Sequence, residues 1–369
     1  MKRPAILVLG PSREAISGVS THVNALIDSP LGACFSLEHF QVGSEGRRES
    51  AGAKLVRFLF SPLGLLFAIF RFDASVVHIN TSLNAKAFWR DLVYLAVARI
   101  GGARVVYQVH GGALKRFAAH PLMAALVRVA MRLVDRVVVL SKAELASFRE
   151  IAPAAPVEAI ANGIDCLPYR KYNRPAADPS APLRLTYIGR LAPGKGLREA
   201  IEGLAAARKR GVDAELVIAG GGAEEQRLRR WAREAGVESA VSFAGPSYGE
   251  HKARLLSQSD ALVLASYSEG LPYALLEAMA AGVVPIVTPV GGVPDVLTEG
   301  EHGLFVEVGS SEAIADAIAR LAGDRRLVAR MSAACRKRIA GAYSIDRVAN
   351  DFVVLYSRLC ASRAPRPIL

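Results

Sequence analysis

The fold is decided by the stretch YIGRLAPGKGL, residues 187–197, in which an apolar run leads through three glycines into a helical segment. Strands that enter helices through such turns are typical of doubly wound α/β sheets, which bind ligands at the carboxyl ends of their strands. The turn presents backbone N–H groups and the positive end of a helix. Arg190 and Lys195 add two cations, and an Arg fork beside a Lys suits a diphosphate. The spacing does not match a Walker A loop, and two surface cations without a ligand remain the alternative.

Two glutamates lie at a second strand-to-helix junction, SYSEGLPYALLEAMAAG, residues 266–282. Pro272 stands where a helix begins and Gly282 where a helix is capped. Glu269 is therefore predicted in the loop and Glu277 within the helix. Apolar residues flank Glu277, and a carboxylate in such surroundings needs a partner. The sequence predicts one carboxylate at the sheet edge and one deeper, although two glutamates that only stabilise a helix would give the same pattern.

Short apolar runs alternate with helical segments along almost the whole chain, which indicates parallel sheets covered by helices on both faces. A proline-rich stretch, 165–182, separates two series of strands. We therefore expect one α/β domain at 1–170, a second at 183–343, and a C-terminal helix within 344–369 that packs back on the first. The predicted strands are 5–9, 75–79, 104–109, 136–140 and 157–160, then 184–188, 214–219, 241–244, 260–264, 285–288 and 303–306.

Composition indicates a folded protein, since 51% of the 369 residues are hydrophobic and 22% are charged. The four cysteines form no Cys-x-x-Cys pair, which argues against a zinc site or a disulfide framework and favours a reducing cytosol. Residues 1–182 hold 22 basic and 13 acidic side chains, most of the net charge of +12. The first half is thus expected to meet an anionic partner, unless its charge serves only solubility. The candidates are phosphorylated lipid, a membrane surface and nucleic acid; nucleic acid is the weakest and is not expected as a partner, because no nucleic-acid-binding motif is evident.

Two apolar segments, 5–9 and 58–70, are candidates for a signal peptide or a membrane-associated helix. The run 5–9 is short and is followed by Gly10-Pro11, so we expect a strand there and not a signal peptide. The run 58–70 has 13 residues, fewer than the roughly 20 that span a bilayer. Arg47, Arg48 and Lys54 precede it. We favour a mostly buried crossover helix, and the alternative is a helix that lies on an anionic membrane surface.

The junctions resemble those of retaining glycosyltransferase family 4. Glu269 to Glu277 reproduces the E-x7-E pattern of that family, and 189–197 is similar to its G-R-L-x-x-x-K-G-L turn. The resemblance covers nearly the whole chain and implies the GT-B fold: α/β, with two Rossmann-like doubly wound domains facing across a cleft. The other matching segments, in family order, are SGVSTH (17–22), SVVHI (75–79), VHG (109–111), ANGID (161–165), AGGG (219–222) and TPVGGVPD (288–295).

The resemblance implies catalytic roles for His110, Arg190, Lys195 and Glu269. The two cations would neutralise the donor diphosphate as it leaves, which is the charge stabilisation that such a reaction needs. Glu269 would meet the sugar hydroxyls, and His110 would contact the donor sugar near the reacting centre. By itself, His110 would be interpreted as a satisfied histidine at a strand end.

The implied donor-binding set adds backbone groups and a second carboxylate. Glu277 would hold the ribose, and the backbone N–H of Gly18 would reach the phosphates across the cleft. His22 is a weaker candidate for acceptor contact, and His78 is expected to close a strand. The donor-binding residues are Gly18, Gly189, Gly220, Gly270, Leu271 and Glu277.

Three positions depart from the family pattern: Ser17 replaces a second glycine, Asp295 replaces Glu, and the 282–285 turn is one residue longer. None removes a proposed catalytic side chain, so they bear on loop geometry and not on the reaction class.

The activity implied is retaining sugar transfer from a nucleotide-diphosphate sugar to a saccharide or lipid-linked acceptor, as in bacterial-type cell-surface polysaccharide or glycolipid synthesis. In the family, the leaving phosphate is thought to help deprotonate the acceptor. No Asp-x-Asp sequence is present, which favours transfer without a metal or other cofactor. We expect a cytoplasmic enzyme, peripheral on the inner face of the membrane in the second interpretation of 58–70. The alternatives are a sugar-nucleotide epimerase of similar architecture and a non-catalytic nucleotide-sugar-binding protein.

Overall fold

The computed structural model describes residues 3–43, 45, 49–111, 114–171 and 181–361. The chain divides into two compact units. The first unit consists of the described residues up to Gly163 together with those from Ile345 onward, and the second unit is Ile164–Ser344. Each unit holds a parallel sheet with six strands in the described ranges, flanked by helices. The predicted α/β architecture of two Rossmann-like domains is confirmed.

The sheet of the first unit has the strand order β2-β1-β3-β4-β5-β6. Successive residues of β1 enter opposite apolar clusters: Leu7 and Leu9 face one cluster, and Ile6 and Val8 face the other. This alternation places a core on each side of the sheet. The strands are β1 (Ala5–Gly10), β2 (Ser36–Gln41), β3 (Ala74–Thr81), β4 (Arg104–Val109), β5 (Arg136–Val139) and β6 (Val157–Ala159).

Seven helices accompany this sheet in the described residues. The last helix, α15, packs against β3, α1 and the 3-10 turn Pro30–Ala33. It contributes Val348, Phe352 and Tyr356 to the apolar cluster that also contains Ile6 and Val8. The helices are α1 (Gly18–Ile27), α2 (Ala51–Phe72), α3 (Ala85–Ile100), α4 (Leu114–Phe117), α5 (Pro121–Met131), α6 (Lys142–Ile151) and α15 (Ile345–Ala361).

The sheet of the second unit has the order β12-β11-β10-β7-β8-β9, and α7 (Leu167–Arg170) precedes it. The remaining helices of the unit are α8 (Leu197–Lys209), α9 (Glu225–Glu234), α10 (Gly249–Ser257), α11 (Tyr273–Ala281), α12 (Val293–Val296), α13 (Ser311–Gly323) and α14 (Arg325–Ala342). The strands are β7 (Leu183–Ile188), β8 (Ala214–Ala219), β9 (Val241–Phe243), β10 (Ala261–Leu264), β11 (Val284–Val287) and β12 (Leu304–Phe305). A 3-10 turn, Glu238–Ala240, precedes β9.

The structure differs from the predicted organisation at the junction of the units. The division falls after Gly163, so residues 164–170, which were predicted in the first domain, lie in the second unit. The physical reason is the packing of α7 against α10 and α11. Most of the predicted linker, 172–180, lies outside the described residues. Strand β2 was also missed.

The expectation for the apolar run 58–70 is wrong on two counts. The run belongs to α2, which has 22 residues. By length and composition alone, its part Gly52–Phe72 is able to cross a membrane, so the argument from length fails. The helix is also not mostly buried: Leu65 and Ile69 face the core, whereas Phe60 and Phe67 are 61% and 67% exposed. Arg47 and Arg48 lie outside the described residues.

Candidate active site

The candidate site of the second unit lies where the strand order of its sheet reverses. Strand β7 has β8 on one side and β10 on the other, so the connections from β7 to β8 and from β10 to β11 run toward opposite edges of the sheet. Such switch points are the places where open α/β sheets bind ligands. The loop after β7 carries Arg190 and Lys195, and the loop after β10 carries Glu269.

The loop after β7 is shaped by glycines. Gly196 has a φ of 67° and is the N-cap of α8. A Cβ on Gly196 would overlap the carbonyl oxygen of Ala265, so the two loops approach too closely for a side chain there. The backbone N–H of Tyr267 donates to the carbonyl of Gly194 at 2.9 Å. These contacts fix Lys195 beside the loop after β10.

Glu269 receives two hydrogen bonds on one carboxylate oxygen. The Lys195 ammonium and the Ser266 hydroxyl each donate to Oε1 at 2.7 Å. The side chains of Lys195 and Glu269 are 23% and 12% exposed, so water screens this pair less than a surface pair. The structure thus brings together two of the predicted catalytic side chains. Arg190 is exposed on the same turn, where an anionic ligand can reach its guanidinium.

The loop that carries Glu269 is also held from its other side. The backbone N–H of Gly292 donates to the carbonyl of Gly270 at 2.6 Å. Gly291 has a φ of 58°, and a Cβ on it would lie 2.7 Å from the same carbonyl. The segment after β11, which includes the Gly-Gly pair of the sequence motif, therefore packs directly on Gly270. Leu271 follows and is buried.

Glu277 lies inside α11, about one turn after the first residue of the helix, Tyr273, and it is buried as predicted. The Lys252 ammonium of α10 donates to its carboxylate at 2.5 Å. The Tyr169 hydroxyl of α7 forms a second hydrogen bond with this carboxylate. Burial, and then the charge of Glu277, raise the pKa of Tyr169 above its ordinary value, so the phenol stays a donor. Glu277 has the partners that its burial requires.

At two of the predicted donor-binding positions, the packing of the chain itself requires glycine. A Cβ on Gly220 would overlap the carbonyl oxygen of Gly189. A Cβ on Gly189 would lie 2.8 Å from the hydroxyl of Tyr187, which donates to the carbonyl of Arg190 at 2.8 Å. The ends of β7 and β8 therefore need both glycines to pack, whether or not a ligand binds.

The first unit has a corresponding switch point between β1 and β3. Gly18 is the first residue of α1, and the hydroxyl of its N-cap Ser17 accepts the backbone N–H of Ser20. The serine that replaces a family glycine thus caps the helix. A Cβ on Gly18 would have no atom of the described chain within 4 Å, so there is open space in front of this helix end.

His110 follows β4 and is held by Asn80 of β3. The amide nitrogen of Asn80 donates to the carbonyl of Leu9 at 3.1 Å, so its oxygen faces the Nε2 of His110, 2.8 Å away. An amide oxygen only accepts, and Nε2 must therefore carry the proton. Burial and the charges of His22 and His78 hold the pKa of His110 well below its ordinary value. The ring is a neutral imidazole whose Nδ1 accepts hydrogen bonds.

His22 and His78 form a buried cluster behind His110. The rings of His22 and His110 are 4.5 Å apart, and the Nδ1 of His78 is 2.7 Å from the Tyr356 hydroxyl of α15. Burial lowers the pKa of His22 to about 4 and that of His78 to about 3. His22 is 2% exposed, which leaves little of its ring for the predicted acceptor contact. The expectation that His78 closes its strand is wrong, because β3 continues to Thr81.

Sequence reasoning missed the partners of the predicted residues. Lys252 and Tyr169 lie far from Glu277 in the chain, and Asn80 lies 30 residues from His110. No local pattern marks them, because the packing of helices brings Lys252 and Tyr169 to Glu277, and the pairing of β3 with β4 brings Asn80 to His110. Ser266 was within reach of prediction, since it stands three residues before Glu269 in the same loop.

Comparisons with known proteins show the family of the chain. Residues 168–338 match the family described as glycosyl transferases group 1, and residues 37–166 match glycosyltransferase family 4. A GDP-mannose-dependent α-(1-6)-phosphatidylinositol monomannoside mannosyltransferase of Mycobacterium tuberculosis is 31% identical over 271 residues, which cover 68% of this chain and 69% of the relative. A GDP-mannose:cellobiosyl-diphosphopolyprenol α-mannosyltransferase of Xanthomonas oryzae is 30% identical over 257 residues, 68% of this chain and 65% of the relative.

Among solved structures, sucrose-phosphate synthase of Thermosynechococcus elongatus superposes with a TM-score of 0.78 and 20% identity, covering 98% of this chain and 100% of that one. At this identity the superposition shows the fold alone. The fold and the matched families define an enzyme that transfers sugar from a nucleotide sugar. The chain belongs to glycosyltransferase family 4 and has its GT-B fold.

Proposed function

We propose that this glycosyltransferase moves a sugar, with retention of anomeric configuration and without a metal ion or other cofactor, from a nucleotide-diphosphate sugar to a saccharide or lipid-linked acceptor. The observation that carries the proposal is the convergence of Lys195 and Ser266 on Glu269 at the switch point of the second sheet. Arg190 stands on the same turn. At this edge of the sheet, the two cations suit the diphosphate of a nucleotide sugar, and the carboxylate suits the hydroxyls of its sugar.

The cations stabilise the charge that develops on the leaving diphosphate. Arg190 is exposed and binds two phosphate oxygens with its fork, while the Lys195 ammonium adds a point charge. Glu269 holds Lys195 in place at 2.7 Å, so little reorganisation is needed when the phosphate binds. The N-terminus of α8 begins beside Lys195 and contributes its partial positive charge.

The two glutamates take different parts of the donor. Glu269 has one oxygen occupied by Lys195 and Ser266 and offers the other to sugar hydroxyls. Glu277 accepts from Lys252 and Tyr169 and keeps lone pairs for the ribose hydroxyls. In the transfer, the acceptor oxygen bonds to the anomeric carbon as the bond to phosphate breaks. The leaving phosphate takes the proton of the acceptor hydroxyl on the same face. The neutral His110 accepts a hydrogen bond from a substrate hydroxyl through Nδ1.

The acceptor that we favour is lipid-linked, within cell-surface polysaccharide or glycolipid synthesis. Two relatives support this choice: one is named for a phosphatidylinositol monomannoside acceptor and the other for a diphosphopolyprenol acceptor. Such an enzyme would act in the cytoplasm, at the inner face of the membrane.

A donor panel tests the proposal. The protein is incubated with UDP-, GDP- and ADP-sugars with and without a lipid-linked acceptor, and products are identified by mass spectrometry and by NMR of the anomeric proton. We expect one donor to be consumed, an α-linked product from an α-linked donor, and equal turnover in excess EDTA. An isomerised sugar nucleotide would indicate an epimerase, and binding without turnover of any donor would indicate a non-catalytic protein. Inversion or loss of activity with EDTA would contradict the proposed mechanism.

A further inference from the structure

Helix α2 of the first unit has apolar residues on two opposite faces. One face packs on the core through Leu65, Ala68 and Ile69, and the Ser61 hydroxyl lies 2.9 Å from that of Tyr94 on α3. The other face is exposed at helical spacing. We call this face the α2 outer stripe; its residues are Val56, Leu59, Phe60, Leu63, Phe67 and Phe70, each at least 57% exposed.

The stripe is long and carries no charge. It extends over 14 residue steps, about 21 Å of helix at 1.5 Å per residue. Between Arg57 and Arg71 the helix has no charged side chain. A contiguous apolar surface of this size is unusual on a soluble protein and indicates an interaction site.

The charges of α2 lie at its ends and are all positive. Lys54 precedes the stripe, Arg71 follows it, and the 51–72 sequence contains no acidic residue. Arg57 lies beside the first residue of the stripe and forms an ion pair with Glu49. Lys54 and Arg71 are exposed. An apolar helix face with cations at both ends is the arrangement that lies in the interface of an anionic bilayer, with Phe and Leu among acyl chains and cations at the headgroups.

The charge pattern disfavours a second copy of this chain as the occupant. If two copies packed their stripes together, a parallel pair would place Lys54 beside Lys54, and an antiparallel pair would place it near Arg71. Both arrangements bring cations together over a low-dielectric surface, where repulsion is strong. Anionic headgroups relieve this repulsion.

The packing of α2 decides between lying on the membrane and crossing it. A spanning helix would expose every face to lipid, yet Leu65 and Ile69 are 0% and 2% exposed within the core of the first unit. Crossing would remove α2 from its sheet. We propose that the α2 outer stripe attaches the protein to anionic membrane surfaces, with the helix lying in the interface. This attachment deepens the proposed location at the inner face of the membrane by naming the surface that binds, and it needs neither donor nor acceptor.

Co-sedimentation with vesicles tests the attachment. The full chain is mixed with vesicles of phosphatidylglycerol and phosphatidylcholine, or of phosphatidylcholine alone, without nucleotide sugar. We expect strong binding to the anionic vesicles that weakens in high salt, and at least tenfold weaker binding of Phe60→Ser/Phe67→Ser. Lys54→Glu/Arg71→Glu should lose most of the preference for anionic lipid. The matched control is Val354→Ser, an exposed aliphatic residue of α15 in the same unit, which should bind as the wild type does.

A second measurement does not depend on loss of function. The chain has two tryptophans, Trp89 and Trp231. In a background with both changed to Phe, Phe67→Trp should shift its emission to the blue and be quenched by brominated lipid when anionic vesicles are added. Equal binding of Phe60→Ser/Phe67→Ser and the wild type, or an unquenched tryptophan at 67, would overturn the proposal. So would a dimer that Phe60→Ser/Phe67→Ser converts to monomer while vesicle binding is unchanged. Donor turnover is measured separately, so failure here leaves the proposed reaction standing.

Discussion

The ion pair of Lys252 and Glu277 gives the most quantitative prediction. Their charged atoms are 2.5 Å apart, and the side chains are 17% and 7% exposed. Changing Lys252 to Met keeps the length of the side chain but leaves the Glu277 carboxylate buried with its cation removed. Removing one partner of a buried pair costs about 3–5 kcal/mol. Because Lys252 is partly exposed, we expect the change to lower the free energy of unfolding by about 3 kcal/mol.

The assay follows unfolding of the second unit. Trp231 of α9 reports this unit when Trp89, the other tryptophan, is changed to Phe. A unit of this size loses roughly 2–4 °C in Tm per kcal/mol, so we expect Lys252→Met to lower Tm by roughly 6–12 °C. Lys252→Met/Glu277→Met removes both charges and should recover most of the loss, because apolar side chains of similar volume replace buried ion pairs at little cost.

A matched control uses Glu250 of the same helix, α10, and Lys171, the residue that follows α7. Lys171 and Glu250 form a pair at 3.2 Å whose side chains are 69% and 63% exposed. Lys171→Met should change the free energy of unfolding by less than about 1 kcal/mol. If Lys252→Met were no more destabilising than Lys171→Met, or if the double variant of the buried pair were as unstable as the single one, Glu277 would not depend on this cation and our account of its burial would be wrong.

Three further predictions concern catalysis and pH. Lys195→Ala or Glu269→Ala should reduce turnover by more than about 100-fold with the fold intact; near-normal turnover in either would refute the assigned site. Asn80→Ala should lower kcat by about tenfold, with little change in the donor KM, because one hydrogen bond that fixes the His110 tautomer is lost; an unchanged kcat would show that Asn80 does not position the ring. The pKa of His22 is lowered from 6.5 to about 4, so its contribution to stability is complete above pH 6.5 and is lost as pH falls toward 4. The free energy of unfolding, measured with denaturant between pH 7 and pH 5, should fall by up to about 1.4 kcal/mol per pH unit because of this group. His22→Gln should make the free energy of unfolding depend less steeply on pH; the same slope in both proteins would contradict the lowered pKa of His22.

The sequence predicted the parts of the fold whose signals are local. The apolar run and the glycines of 187–197 predicted a strand, a turn and a helix, and the structure has β7, the glycine turn and α8 in that order. Gly282 caps α11 with a φ of 78°, as its position in the sequence predicted. Strand β2 was missed because each of its residues is only partly buried, so the edge strand lacks the continuous apolar run of an inner parallel strand. The exposure of α2 was missed because both of its faces are apolar, and composition cannot tell which face meets the core.

The site was predictable only as far as its residues share a loop or a family motif. Lys195 and Glu269 were expected near one edge, and the structure joins them by a 2.7 Å hydrogen bond. Lys252 and Asn80 could not be found, because the order of strands and the packing of helices bring them to Glu277 and His110 from distant positions in the chain.

Calorimetric titration of UDP, GDP and ADP tests the central claim most directly. We predict that one of the three binds the wild-type protein, that Arg190→Ala/Lys195→Ala loses this affinity by at least about 100-fold through the diphosphate, and that Glu277→Ala weakens it by about tenfold through the ribose. Binding of no nucleoside diphosphate, or binding that is unchanged in Arg190→Ala/Lys195→Ala, would contradict the account.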